Sequence, residues 1–161
     1  FLNVQKEQSN KILLYLGTNT QKGRGFEFLC KLLPILSSEF SLLVCGVKSE
    51  VELKFLNQKF EQISNRFFAE KSLTYSELDA VSKFCFAGLS LIEPIYISYS
   101  HSLPNKLFEY AMARKPVIAT DVPQMKRILE SYNSGEMISS KLKSQPIVFP
   151  PQLNYHTMHP D

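Results

Sequence analysis

Leu103 to Asp121, LPNKLFEYAMARKPVIATD, is the stretch on which the reading of this chain turns. Pro104 and Asn105 open a helical pattern, because proline is tolerated in a first turn whose N–H groups have no intrahelical partner. Leu107, Phe108, Ala111 and Met112 then recur at helical spacing as one apolar face. The pattern stops before Pro116, which disfavours helix at the residue preceding it. PVIAT, from Pro116 to Thr120, is an apolar run long enough for one buried strand. The start of such a helix gathers unpaired N–H groups and the positive end of the helix dipole, a ready anion site. Glu109 lies one turn further in. A carboxylate there accepts hydrogen bonds from hydroxyls, and beside a phosphate site these are the hydroxyls of a ribose.

Outward from this stretch the same alternation continues. Lys11 to Gly17, KILLYLG, reads as a strand buried on both faces of a parallel sheet. A Gly-containing basic loop follows, then a helical pattern through Phe26, Leu29, Leu32, Leu33 and Leu36. Phe40 to Gly46 is a second buried strand, and Glu50 to Ile63 a second helix carrying Val51, Leu53, Phe55, Leu56, Phe60 and Ile63. Arg66 to Ala69 is a short strand and Ser76 to Phe84 a third helix, with Tyr75-Ser76-x-x-Asp79 as its capping arrangement. Cys85 to Ile92 is the next strand, and a Ser-, Tyr- and Pro-rich loop from Glu93 to Pro104 leads back to the central helix. Gln124 to Tyr132 is a last helix, with Asn133-Ser134-Gly135 as its C-cap and Glu136 to Ile138 as a final strand.

Strands alternating with helices predict an α/β fold with a doubly wound, mostly parallel sheet of six strands and helices on both faces. In the usual 3-2-1-4-5-6 order, the switch point lies between the Lys11 and Cys85 strands. The loops Gly17 to Gly25 and Glu93 to Pro104 open there, where ligands of such sheets bind. Residues 11–138 form this domain. Residues 1–10 read as a linker from a preceding domain, and 139–161, with four prolines and little periodicity, as an irregular tail.

Composition narrows the function classes. With 44% apolar and 20% charged residues in 161, the chain is an ordinary globular domain large enough for its own core. A net charge of +3, from 18 basic and 15 acidic residues spread along the chain, is too small and dispersed for nucleic acid or an anionic membrane. Cys30, Cys45 and Cys85 lack C-x-x-C spacing and read as small buried hydrophobes in a reducing compartment, with neither metal nor disulfide. No run approaches a membrane span, and FLNVQKEQSN lacks the order of a signal peptide, so a cytoplasmic location is expected.

PNKLFEYAMARKPVIATD resembles the nucleotide-binding core of the C-terminal domain of GT-B-fold glycosyltransferases, in the large retaining group marked by a Glu-x7-Glu motif. The likeness is specific here and extends loosely from Lys11 to Ile138. Two departures stand out: the first Glu of the motif falls on His101, and the glycine that usually ends the helix is Arg114. The resemblance implies a sugar transfer from a nucleotide-diphosphate sugar to a glycan or lipid-linked acceptor, of hexosyltransferase type, without cofactor or metal. The absence of an Asp-x-Asp motif agrees with that. It also implies an N-terminal acceptor-binding domain as partner, through which the protein contacts a membrane peripherally. The isolated domain is expected to be inactive. Rival readings are half of a nucleotide-diphosphate-sugar epimerase and a nucleotide-sugar-binding module without turnover.

The candidate site follows. Gly23-Arg24-Gly25 fails as a dinucleotide fingerprint, since the third glycine position is Phe28. By resemblance it is the basic-Gly turn that reaches the donor diphosphate, with Arg24 first and Lys22 second, after Gly17 and Thr18, the latter where the family often has arginine. A solvated surface loop is the bland alternative. Pro104, Asn105, Lys106 and Leu107 hold phosphate through first-turn N–H groups, Lys106 adding charge or merely facing water. By the same resemblance Glu109 holds the ribose, against the alternative of a solvent-facing carboxylate. His101 stands where a carboxylate contacts donor-sugar hydroxyls and, with Arg24, has the catalytic role; an imidazole supplies one such bond but no carboxylate charge. The resemblance assigns the base to the loop Ala69 to Leu73, which includes Lys71.

Overall fold

The computed structural model describes residues 11–17, 23–32, 35–93, 95–132 and 135–138. The expected linker and tail, together with Thr18 and Lys22 and the Asn133-Ser134 part of the expected cap, lie outside them. Six strands form one parallel sheet: β1 (Lys11–Leu16), β2 (Phe40–Val47), β3 (Phe67–Lys71), β4 (Ala87–Ser90), β5 (Val117–Thr120) and β6 (Gly135–Ile138). Their order is β3-β2-β1-β4-β5-β6, with the switch point between β1 and β4 as expected. The helices are α1 (Phe26–Leu32), α2 (Glu50–Lys59), α3 (Tyr75–Phe84), the single turn α4 (Ile97–Ser100), α5 (Asn105–Met112) and α6 (Pro123–Tyr132). No helix of the described residues is long and apolar enough to cross a membrane.

Because β1 is central, its residues alternate into two cores. Leu13 and Tyr15 join Phe28, Leu29, Leu32 and Leu56 on the side of α1 and α2. Ile12, Leu14 and Leu16 join Val81, Leu107, Tyr110, Met125 and Leu129 on the side of α3, α5 and α6. A strand packed on both faces has no polar side to show, which is why KILLYLG runs unbroken.

Several elements depart from the sequence reading. The second helix ends at Lys59, and Glu61–Arg66 continues as a 3-10 segment in which Ile63 is non-helical (φ −124°, ψ 27°). At the junction Phe60 turns inward, its ring tilted against Phe67 at 4.6 Å and edge-on to Phe26 at 6.2 Å. Helix α3 starts one residue early and is capped by Thr74 and Glu77, a reciprocal capping box, rather than by the Tyr75-to-Asp79 arrangement. Asp79 instead pairs with Lys83 one turn on, at 2.7 Å. The strand after α3 is shorter than Cys85 to Ile92, although Leu91 and Ile92 stay buried beyond it. Gly135 opens β6 rather than completing a cap.

The buried face of α5 is rotated from the expected one. Leu107, Tyr110 and Ala113 face the core, while Phe108 and Met112 are 43% and 74% exposed. Tyr110 wins the inward position because its hydroxyl has a partner there, so a large ring can be buried whole. The helix ends in a Schellman turn, in which Lys115 N–H donates to the Tyr110 carbonyl and Arg114 N–H to that of Ala111, both at 2.9 Å. Arg114 takes the left-handed conformation there, φ 56°, which a glycine adopts without strain. Of the cysteines, Cys45 and Cys85 are buried and their thiols pushed up to about 12 by burial, whereas Cys30 is only half-buried.

Candidate functional site

The site forms where β1 and β4 part. Their ladder joins Leu13 to Ala87 and Leu14 to Gly88, and the Tyr110 hydroxyl enters just beyond it. That hydroxyl accepts from Leu16 N–H at 3.1 Å and donates to the Leu14 carbonyl at 2.9 Å. The ring lies so close over Gly88 that any Cβ there would overlap it. Tyr110 therefore ties α5 to β1 and fixes where the first turn of α5 stands relative to Gly17, which turns out of β1 at φ 89°.

At the mouth of this crevice α5 begins with Pro104 as N-cap, and no side chain caps it. The Leu107 N–H is taken by the Pro104 carbonyl at 3.0 Å, and the Leu107 side chain is core. This leaves the N–H groups of Asn105 and Lys106 at the open end of the helix. The Lys106 ammonium stands 4.3 Å from the centre of the Tyr15 ring, a cation–π contact. Burial, and next the charge of Arg24, lower the pKa of Lys106 to about 8, against the opposing pull of Glu109. Lys106 is thus a desolvated cation rather than one merely facing water.

Arg24 approaches from the other side. The Tyr15 hydroxyl donates to its backbone carbonyl at 2.9 Å, and its guanidinium lies 5.1 Å from the Tyr99 ring centre. Tyr15 is the shared support: one face carries Lys106 and its tip holds Arg24. Burial and the nearby Glu93 raise its pKa, so the phenol stays a donor. Glu93 accepts from Gly23 N–H at 2.9 Å and Phe28 N–H at 3.0 Å. Its own N–H donates to the Gly23 carbonyl at 3.1 Å. The root of that segment is pinned from β5, where the Thr120 hydroxyl accepts from Ile92 N–H at 2.9 Å and donates to the Ile92 carbonyl at 2.8 Å.

Glu109 is half-buried and lines a cavity of about 80 Å³ with Tyr75, Leu78, Asp79, Ser82, Met112 and Ala113, between α3 and α5. His101 is exposed on the turn after α4, its Nδ1 3.1 Å from the Ile97 carbonyl oxygen. Lys71, at the end of β3, pairs with Glu50 in the first turn of α2. The fold thus brings Arg24 and Lys106 together on Tyr15 beside Pro104 and Asn105 at the start of α5, with Gly17 at the end of β1, whereas the cavity that Glu109 lines lies between α3 and α5. The described contacts of His101 and Lys71 lie elsewhere. Among the described residues no group of histidines, cysteines and carboxylates could hold a metal ion.

Five residues of this arrangement escaped the sequence reading: Tyr15, Glu93, Tyr99, Tyr110 and Thr120. Three of them are polar groups inside or directly after apolar runs, a signal of a buried partner that composition does not locate. The single turn α4 inside the loop Glu93 to Pro104 was likewise not anticipated.

The model of a known family, glycosyl transferases group 1, matches residues 10–145 of this chain. Among solved structures, WaaG, described as a glycosyltransferase involved in lipopolysaccharide biosynthesis, superposes with a TM-score of 0.63 at 18% identity. The match covers 89% of this chain and 37% of that one. Anabaena HepE, in complex with UDP-glucose, gives 0.64 at 14% identity, over 86% of this chain and 37% of its own. Sucrose-phosphate synthase from Thermosynechococcus elongatus gives 0.65 at 15%, over 96% and 36%. This chain therefore spans little more than a third of the length of these structures. No curated protein matches the sequence.

Proposed function

The chain belongs to the glycosyl transferases group 1 family, and on that premise we propose that it is the donor-binding, C-terminal half of a GT-B glycosyltransferase. It takes a nucleotide-diphosphate sugar and passes the sugar to an acceptor held by an N-terminal domain. One observation carries the reading: Arg24, from the turn after β1, and Lys106, from the first turn of α5, converge on Tyr15 beside a helix N-terminus that no side chain caps. Two cations and open N–H groups match a diphosphate, and Glu109 one turn inward matches the ribose. Transition-state charge builds on the leaving diphosphate as the glycosidic bond breaks, so these groups stabilise the reaction by charge alone, with no metal or cofactor invoked.

An acceptor has to be positioned near the anomeric carbon, and this half offers only one wall of the cleft. Sugar transfer, of hexosyl type in this reading, therefore requires the other half, as does any contact with a membrane from a cytoplasmic site. A second reading, binding without turnover, is favoured by one observation: His101 stands in place of the motif's first carboxylate and points a ring nitrogen at its own turn. Tight donor binding by the intact protein without donor hydrolysis would select it, and would also leave retention of stereochemistry without its motif.

A thermal-shift panel of nucleoside diphosphates tests the binding reading, because a ligand of the native state alone raises apparent stability. One base should stand out. Glu109→Ala should then cost about 1.5 to 3 kcal/mol of binding, the value of a hydrogen bond to a charged acceptor. The 2′,3′-dideoxy analogue discriminates: equal losses on natural and dideoxy ligands mean that Glu109 does not hold the ribose.

A further inference from the structure

Glu93 occupies a position that helix capping alone does not explain. Phe28 N–H belongs to the first turn of α1, so a carboxylate accepting from it is an ordinary charge-assisted cap delivered from 65 residues away. Gly23 N–H, on the other oxygen, lies before the helix begins. Its neighbours are also fixed. Gly23 sits against Tyr99 and Ile95, where a Cβ would overlap both, and Gly25 against the Leu91 carbonyl in the same way. Between them Arg24 has its carbonyl held by Tyr15. Three successive residues of the turn are thus tied down on both sides of one exposed guanidinium, and Glu93 supplies the only charged tie among those described.

We infer that Glu93 is a positioning residue for the diphosphate end of the site: it bridges the Gly23-Arg24-Gly25 turn to the start of α1 and so fixes where the Arg24 guanidinium stands. This rests on the donor-diphosphate reading above. The carboxylate has a second consequence. Because it fills the space in front of the α1 N–H groups with negative charge, a phosphate is turned away from that helix and toward Lys106 and the start of α5. Glu93 acts through Arg24 and through this repulsion, without touching the donor.

The test is calorimetric titration of the intact protein with UDP and with uridine, or with the pair carrying whichever base the thermal-shift panel selects. Glu93→Gln keeps the shape, but its amide group offers a donor where one N–H needs an acceptor. It should weaken diphosphate binding about five- to tenfold and leave nucleoside binding within about twofold. In an Arg24→Ala background the same substitution should cost under about twofold, the signature of two residues acting as one unit. Glu93→Asp, which keeps the charge and shortens the reach, should show the same selective loss, and carries the test should Glu93→Gln fail to fold. Equal losses on diphosphate and nucleoside, or an undiminished loss in the Arg24→Ala background, would reduce Glu93 to a structural cap. Wild-type protein that does not prefer diphosphate to nucleoside overturns the donor reading itself.

Discussion

Helices α1 and α5 both begin at the crevice between β1 and β4, and their N-termini are treated in opposite ways. The start of α1 is closed by the molecule's own carboxylate, Glu93, which takes the Phe28 N–H. The start of α5 has no side-chain cap and carries Lys106 instead. Helices α2 and α3 behave like α1, their first turns satisfied by Ser49 and by the Thr74-Glu77 box. A helix start left open at a crevice and flanked by cations costs stability, and such a cost is commonly met where a ligand completes the structure. Of two helix starts at one crevice, one is thus closed by an internal carboxylate and one is left without a side-chain cap.

The contrast breaks most readily at Tyr110, which holds the open helix in place. Tyr110→Phe leaves Leu16 N–H and the Leu14 carbonyl without their hydroxyl partner in a fully buried position. A loss of about 2 to 3 kcal/mol in denaturant unfolding is expected, the penalty for stranding buried polar groups. A cost below about 0.5 kcal/mol would show that α5 is held by its apolar packing alone.

Lys106 gives a smaller effect with two signs. Its folded pKa, about 8, lies below the ordinary 10.5, so the unfolded chain binds more protons between those values. Stability should therefore rise as pH increases from about 8 to 10.5, and below pH 8 the buried charge destabilises the fold. Lys106→Met should accordingly raise stability at pH 7. The same variant should weaken nucleoside diphosphate binding roughly tenfold, and wild-type binding should weaken as pH rises past about 8. A variant that loses stability at pH 7, or binding that is flat from pH 6 to 9, would remove Lys106 from the site.

The smallest effect comes at the other end of α5. Arg114→Gly relieves a left-handed residue in the Schellman turn, and should add about 1 kcal/mol to stability. Because Arg114 lies at the far end from the crevice, binding should not move. A change in nucleoside diphosphate affinity would mean that the helix end and the helix start are coupled.

Local chemistry was sufficient for much of this molecule. An unbroken apolar run such as KILLYLG admits few readings, and strand-helix alternation then points to a doubly wound sheet, whose usual six-strand order is the one observed. The start of α5 at Pro104 and Asn105, and the place of Glu109 one turn inside it, follow from those two residues and the helical period alone. What lay beyond the sequence was whatever depends on contacts between distant segments. Periodicity placed Phe108 and Met112 in the core, but the partner that lets Tyr110 bury its hydroxyl is the backbone of β1, some 94 residues away. Glu93 reads as an ordinary loop charge until the fold brings it to Gly23, 70 residues back. Lys106 reads equally as a phosphate-site charge or as a residue facing water until the Tyr15 ring is seen against its ammonium and burial lowers its pKa. Apolar patterning is a sum of local preferences and survives in one dimension. A polar group's role is set by which partner satisfies it, and only the folded chain decides that.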